Sequence, residues 1–420
     1  MDRIDEAVSG VLSRLPECRA DAAALRAGLE YFGADVNALQ RAAVALETNH
    51  DLRCAGVRKL LSLWLEDFAS LLERRAPFAE LSVPAPPALV YALHYAFPEF
   101  RFMSAAMAAQ IALRGVFLHT EPVDLSATRM RRCGLNSMRR RIAAEFSPRA
   151  VLQFGVLCDE CCKTCEGTEG ALSLILPRGA SSTCARSFAA GYIGRLEAFF
   201  GRRITPEAKR SGFGLYARLL SAERRISDAC AARSCLKGNS LALAQFALLA
   251  SPSRPEEAVA ALEELARELE AAPAARDYPG KRLYCFIVPF LQPGAAGRFM
   301  DAGVFLTGGG AFIELDAGPF IDLAGSVAAW AEAMAVRRPE AEYAAALAAD
   351  IRRWGCGAYL GGSFNFDRAL GAAEPLRRRI LKHEYGIASF ELGADFWSEN
   401  CGWSDPAARA ETISAMMDKQ

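Results

Sequence analysis

The run Cys158-Asp-Glu-Cys161-Cys162-Lys-Thr-Cys165 sets two Cys-x-x-Cys pairs side by side, and Cys133 stands upstream in Met130-Arg-Arg-Cys-Gly-Leu-Asn. Five of the 13 cysteines thus fall between residues 133 and 165. Thiolate is the ligand that iron–sulfur clusters require. The apolar run Ala150-Val-Leu-Gln-Phe-Gly-Val-Leu leads directly into Cys158 and predicts a buried strand with that thiol at its carboxyl end. Open α/β sheets bind their ligands at that edge. A helix beginning there would stabilise thiolate through its dipole and free N–H groups. Cys133 also precedes a predicted helix. Three chemistries fit this constellation. Iron–sulfur ligation leads; a structural zinc site follows, although zinc pairs are usually separated by about a dozen residues or more. The third is an unmetallated set of buried thiols or a vicinal redox pair. The spacing is not the bacterial ferredoxin run C-x₂-C-x₂-C-x₃-C-P.

Cys184 and Cys356 are weaker ligand candidates; Cys356 stands just before a strand in Trp354-Gly-Cys-Gly-Ala-Tyr-Leu. Cys18, Cys54, Cys285 and Cys401 occur singly in apolar or terminal contexts and read as core filler. Cys230 and Cys235 lie five apart on a helical stretch, so they are not expected to share a face and read as core. Asp159, Glu160 and Glu166 are weak proton-donor candidates, since carboxylates also favour helix N-termini for electrostatic reasons alone. With only four histidines and no His-Glu-x-x-His, a histidine-rich metal site is not expected. His119-Thr-Glu121 followed by Cys158-Asp-Glu-Cys161 is reminiscent of a zinc deaminase, but Leu157 replaces the proline expected before the first cysteine. No Walker A loop or Gly-x-Gly-x-x-Gly turn is found, and Gly308-Gly-Gly310 reads as a plain turn.

These residues need a scaffold. At 420 residues the chain is too long for one ordinary core, and its 52% hydrophobic and 23% charged content suits a globular protein. Lys plus Arg equals Asp plus Glu, 49 against 49, so the basic surplus of a nucleic-acid binder is missing. The basic clusters Arg129–Arg132 and Arg139–Arg141 read as a solvated face. The opening Met-Asp-Arg-Ile-Asp-Glu lacks the apolar segment of a signal peptide, and no apolar stretch suits a bilayer. A cytoplasmic location is therefore expected. Helical periodicity dominates up to about residue 78, and Val83-Pro-Ala-Pro-Pro87 punctuates the chain. Strand-like runs follow at Phe100–Met103, Gly115–His119 and Ala150–Leu157. Helices fill 204–272, and strands return at Arg282–Pro289, Gly303–Leu306, Gly357–Leu360 and Ile387–Leu392. The expected fold is α/β, with two parallel-sheet lobes and a helical N-terminal region. The divisions are 1–82 for the helical region, 83–272 for the first lobe with its helical extension and main cysteine cluster, and 280–420 for the second lobe.

The order of these features resembles the D-component family of 2-hydroxyacyl-CoA dehydratases and benzoyl-CoA reductases, which includes double-cubane cluster proteins. The resemblance covers about residues 84–418. It rests on Pro87-Ala-Leu-Val-Tyr-Ala-Leu-His-Tyr-Ala-Phe, on Cys133 followed by a helix, a strand and Cys158-Asp159, on Leu196-Glu-Ala-Phe-Phe-Gly-Arg-Arg-Ile-Thr-Pro-Glu, and on Tyr385-Gly-Ile-Ala-Ser-Phe-Glu-Leu-Gly-Ala-Asp. It implies two flavodoxin-like lobes, a [4Fe-4S] or double-cubane cluster and anaerobic use. It also implies a homo- or heterodimer with a related subunit, a small-molecule or acyl-CoA substrate, and electrons from a separate ATP-dependent activator. The alternative is a non-catalytic zinc- or cluster-stabilised subunit that pairs with an active relative. Two family cysteines are missing, one near Val83 and one where Ser363-Phe-Asn-Phe366 stands, and Cys161, Cys162 and Cys165 are extra. Two linked cubanes need about six protein thiolates, so this surplus favours the larger cluster.

Overall fold

The computed structural model describes residues 2–73, 77–119, 134–154, 170–176, 179–272, 277–278, 280–285, 295–308, 322–336, 338–362, 368–392 and 406–418. The chain opens with helices α1 (Arg3–Leu12), α2 (Ala22–Tyr31), α3 (Val36–Leu39), α4 (Ala42–Asn49) and α5 (Ala55–Glu73). The first lobe contains β1 (Phe78–Leu81), α6 (Pro87–Ala96), β2 (Arg101–Met103), α7 (Ala105–Gln110) with a π-helical continuation Ile111–Val116, α8 (Gly134–Phe146), β3 (Ala150–Gln153), β4 (Ala171–Ser173) and α9 (Ser182–Phe200). A helical connection follows: α10 (Pro206–Ala232), α11 (Gly238–Gln245) with a 3₁₀ turn Phe246–Leu248, and α12 (Pro255–Ala271). The second lobe contains β5 (Lys281–Cys285), α13 (Ala295–Asp301), β6 (Val304–Thr307), α14 (Leu323–Ala335), α15 (Glu340–Arg353), β7 (Ala358–Gly361), α16 (Arg368–Tyr385), β8 (Ala388–Glu391) and α17 (Pro406–Met417).

Each lobe is built on a four-stranded parallel sheet, and the two sheets repeat one topology: β2-β1-β3-β4 and β6-β5-β7-β8. The α/β fold with two parallel-sheet lobes expected from the sequence is thus the fold observed. Parallel sheets are covered by helices on both faces, so their strands are largely buried. β1, β3 and β7 are buried at every position, whereas the edge strands β4 and β8 are only partly covered. The alternation of side chains along a strand divides the second lobe's core. Leu283, Cys285, Ala358 and Leu360 face Phe299, Ala410 and Ile413. Tyr284 and Tyr359 face the other way, into a core shared with Trp330 and Trp354. Among the described residues no helix is long and apolar enough to cross a membrane.

Local signals set several helix starts. The Asp21 carboxylate accepts hydrogen bonds from Ala23 N (2.7 Å) and Ala24 N (3.1 Å) at the start of α2. Thr205 caps α10 by accepting from Ala208 N at 3.2 Å, with Pro206 in the first turn. Carboxylates distant in sequence supply other caps. Glu268 of α12 accepts from Ala55 N (2.8 Å) and Gly56 N (3.1 Å) at the head of α5. Asp67, within α5, accepts from Ser253 N (2.7 Å) and Ser253 Oγ (2.5 Å). Asp51 accepts from Lys237 N (2.6 Å) at the N-cap of α11, and also from the Tyr278 hydroxyl. The N-terminal helices are therefore joined to residues 237–272 through buried and part-buried charge-assisted hydrogen bonds.

Residues 238–253 are buried without a break. They touch the carboxyl ends of both sheets. Ala85 N, just past β1, donates to Leu249 O at 3.1 Å. Gln245 Nε2 donates to Gly308 O at 3.1 Å, just past β6. The lobes also meet directly through α9 and α14, where Arg186 pairs with Glu332 (2.6 Å) and Gly179 N donates to Ala335 O (2.9 Å).

Three sequence expectations need correction. The strand-like run Gly115–His119 begins in the last turns of the π-helical segment and forms no strand. Its glycine follows the small, buried face Ala105–Ala109, which packs as helix. The central strand β1 lies upstream of residue 83, where the first lobe was expected to open, because the sheet begins before the proline-rich segment. Arg139 does not belong to a solvated face: it is buried against Glu80, while Arg141 donates to Tyr31 O at 3.2 Å and lies over the Tyr31 and Phe32 rings.

The tightest helix contact supplies a stability test. A Cβ built on Gly212 of α10 would lie 2.6 Å from Ala92 Cα and 2.8 Å from Ala92 Cβ in α6. One turn-face away, Gly214 has nothing within 4 Å. Gly212→Ala should destabilise the protein by about 1–3 kcal/mol through overpacking. Gly214→Ala should stabilise it by roughly 0.5–1 kcal/mol, as glycine-to-alanine changes in exposed helix interiors do. Chemical denaturation of the two variants checks the opposite signs; equal effects would mean that α6 and α10 are not in this close contact.

Candidate functional site

In each sheet the chain leaves the central strand for one neighbour and then crosses to the other side. The topological switch points lie between β1 and β3 and between β5 and β7. In open α/β sheets the crevice outside the carboxyl ends at such a point is the binding position. In the first lobe this edge is held by Ser82, which is fully buried. Ser82 N donates to Leu152 O at 2.9 Å, and Ser82 Oγ accepts from Phe154 N at 2.5 Å, which ties the ends of β1 and β3 together.

Two residues earlier, β1 carries Glu80, a glutamate in the middle of a buried strand. Its carboxylate accepts from Ala105 N at 2.8 Å, at the head of α7, and lies 3.7 Å from Arg139 Nε of α8. Burial pushes the Glu80 pKa up to about 7, against the lowering by Arg139 and by the Ala105 and Ala106 amides. A carboxyl group that changes protonation near neutral pH therefore sits beside the switch point. In the second lobe the corresponding crowding occurs at Gly361, the last residue of β7: a Cβ there would lie 2.7 Å from Glu374 Cδ. Glu374 is buried, with Arg377 Nη1 3.2 Å away, and Arg377 also pairs with Glu340 at 3.0 Å.

The expected cluster ligands Cys133, Cys158, Cys161, Cys162 and Cys165 lie outside the described residues, as do Asp159, Glu160 and Glu166. The elements that flank them in sequence are described. The strand expected before Cys158 is β3, and the helix expected after Cys133 is α8. Among the described residues no three His, Cys, Asp or Glu side chains gather as a metal site.

The two weaker thiol candidates occupy different ends of different lobes. Cys184 stands in the first turn of α9, half-buried, and its N donates to Ser181 Oγ at 3.2 Å. Farther down that helix, Tyr192 OH donates to Leu174 O (2.6 Å), level with the carboxyl end of β4. Eight residues of helix separate the two positions, about 12 Å along the axis, so Cys184 lies beyond the carboxyl edge. Cys356 lies at the amino end of β7, where Gly357 N donates to Arg282 O at 3.2 Å. Burial pushes its thiol up to about 12.

Cys54 and Cys285 are buried in apolar surroundings, in keeping with core packing. His119 is buried, and its Nδ1 accepts from Asp35 N at 3.1 Å. Gly308, with φ +83°, offers its carbonyl to Gln245 and has no room for a side chain beside the Tyr284 ring. The expectation that Cys230 and Cys235 point apart is overturned. Helix α10 ends at Ala232, between them, and their sulfurs are 3.7 Å apart. Sequence reasoning also passed over Glu80, whose signal is an acid amid apolar residues in Phe78-Ala-Glu-Leu. A separate open cleft of about 560 Å³ lies between the N-terminal helices and the amino side of the second sheet, lined by Arg14, Arg53, Lys237 and Tyr278 among others. Compared with protein-family models and with curated proteins, the chain matches none.

Glu80 gives a pH test. Its folded pKa of about 7 exceeds the ordinary value of 4.5, so the native state binds the proton more tightly. Its contribution is full below pH 4.5 and is lost as pH rises through 7. The stability of the unmodified protein relative to Glu80→Gln should therefore fall across that window, by about 3 kcal/mol at 1.36 kcal/mol per pH unit. Denaturant titrations of both proteins across this range measure the difference; parallel pH profiles would contradict the assignment.

Proposed function

We propose that this chain is an iron–sulfur-dependent, low-potential reductase or dehydratase component similar to the 2-hydroxyacyl-CoA dehydratase and benzoyl-CoA reductase D-component family. The observation that carries the proposal is topological. The run Cys158–Cys165 belongs to the connection that leaves β3 at the first lobe's switch point, where α/β proteins hold their ligands. Cys133 immediately precedes α8, the helix that leads into β3 and carries Arg139 to Glu80. The donor chemistry fits the group: soft thiolates, and no nearby histidine set that would favour a harder metal.

In this reading Cys133, Cys158, Cys161, Cys162 and Cys165 hold the cluster, and the bound cluster supplies one-electron transfer at low potential. Cys184, on the carboxyl side of the same sheet, is favoured over Cys356 as a sixth thiolate of a double cubane. Glu80 holds or releases a proton at its carboxylate near neutral pH, and Arg139 neutralises the ionised form. Buried residues 238–253 cover the two carboxyl edges and exclude water there. Electrons come from a separate ATP-dependent activator, and the substrate is a small molecule or acyl-CoA.

Iron and acid-labile sulfide analysis of anaerobically purified protein tests the proposal. Both should be present, and Cys133→Ser and Cys158→Ser should each lose most of the iron while Cys18→Ser retains it. Cys184→Ser should lower iron content more than Cys356→Ser. Stoichiometric zinc without sulfide, after growth in iron-replete anaerobic cells, would overturn the proposal.

A further inference from the structure

The turn between α10 and α11 brings together two thiols that the cluster reading does not use. Helix α10 stops at Ala232, and its last carbonyls are taken by another element: Arg282 of β5 donates to Cys230 O at 2.8 Å and to Ala231 O at 3.3 Å. Arg233 turns to extended geometry and donates to Leu269 O at 2.9 Å. Tyr278 N donates to Ser234 O at 2.8 Å, and Lys237 N is fixed by Asp51 at 2.6 Å. These contacts fold five residues into a tight reversal that sets Cys230 Sγ 3.7 Å from Cys235 Sγ, with both side chains buried. A disulfide needs about 2.05 Å, so closure requires each sulfur to move by less than an ångström, within the reach of χ1 rotation (about 1.7 Å in total).

We infer that Cys230 and Cys235 are a thiol–disulfide modification site, which hydrogen peroxide converts to an intramolecular disulfide across the α10–α11 turn. The two sulfurs are electrostatically unequal. The contact with Cys230 holds Cys235 below the usual thiol range, with Arg233 helping, and the same contact together with burial holds Cys230 well above it. Cys235 is therefore the attacking thiolate. It displaces hydroxide from the peroxide, breaking the O–O bond and forming a sulfenic acid; the hydroxide takes the proton that Cys235 gave up. Cys230 then attacks Cys235 Sγ, breaking the S–O bond, and its own proton leaves with the hydroxide as a second water. Two thiols and one peroxide give one disulfide and two waters. The bond would clamp the end of α10 to the head of α11, the segment that joins both sheet edges. The inference stands apart from the cluster assignment, since neither thiol belongs to it.

Trypsin separates the pair, because it cuts after Arg225, Arg233 and Lys237 and leaves one cysteine in residues 226–233 and the other in 234–237. The native full-length chain is treated with hydrogen peroxide, alkylated under denaturing conditions and digested without reductant. The expected product is the two peptides joined, at their summed mass less two hydrogens, in more than half of the molecules, and reductant separates them. The inference is overturned if both peptides remain singly alkylated at a dose that oxidises half-buried Cys18. It is equally overturned if either cysteine is joined to a third one, or if the link forms only after the chain is unfolded.

Discussion

The unbroken burial of residues 238–253 is the constraint on which the rest of the molecule depends. A connection with no access to water must find a partner for each polar group, because an unsatisfied buried donor or acceptor costs about 1–3 kcal/mol. This segment finds several of these partners on three bodies. Leu249 O receives Ala85 N from the first lobe, Gln245 Nε2 reaches Gly308 O of the second, and Ser253 binds Asp67 of the N-terminal helices. Its apolar side chains enter both cores, Leu241 and Phe246 in the larger and Ala242 in the smaller. The two sheet edges cannot shift independently without breaking these bonds. That rigidity is what a site between switch points requires if its geometry is to be kept.

Buried carboxylates provide much of the joining. Asp51, Asp67, Glu80 and the half-buried Glu268 each bind backbone amides at or beside a helix start, where the dipole and unpaired N–H groups favour negative charge. The benefit is partial. Asp67 is pushed up to about 6 and Glu80 to about 7 by burial, so their hydrogen bonds do not fully offset the loss of water. Glu80 is the more exposed to this conflict, since it also faces Arg139 at the long distance of 3.7 Å. A charge pair kept at that cost, beside the central strand's carboxyl end, is the kind of arrangement that tunes proton affinity at functional sites.

The sequence by itself determined the fold class and most of the elements. β2, β3 and β5 to β8 were legible because apolar runs bounded by glycine or proline read as buried strands. The types and spacing of Cys133 and Cys158–Cys165, on which the proposed cluster chemistry rests, are local features of the sequence. Tertiary structure alone decided the rest. β1 holds a glutamate whose partners, the head of α7 and Arg139, are brought to it only by the tertiary fold. β4 is a three-residue, half-covered edge that exists only through pairing with β3. Cys230 and Cys235 meet because Arg282, some fifty residues later in sequence, takes the carbonyls that another turn of α10 would have needed. In each case the deciding bond joins residues far apart in the chain, and a periodicity read over one stretch of sequence contains no information about such a bond.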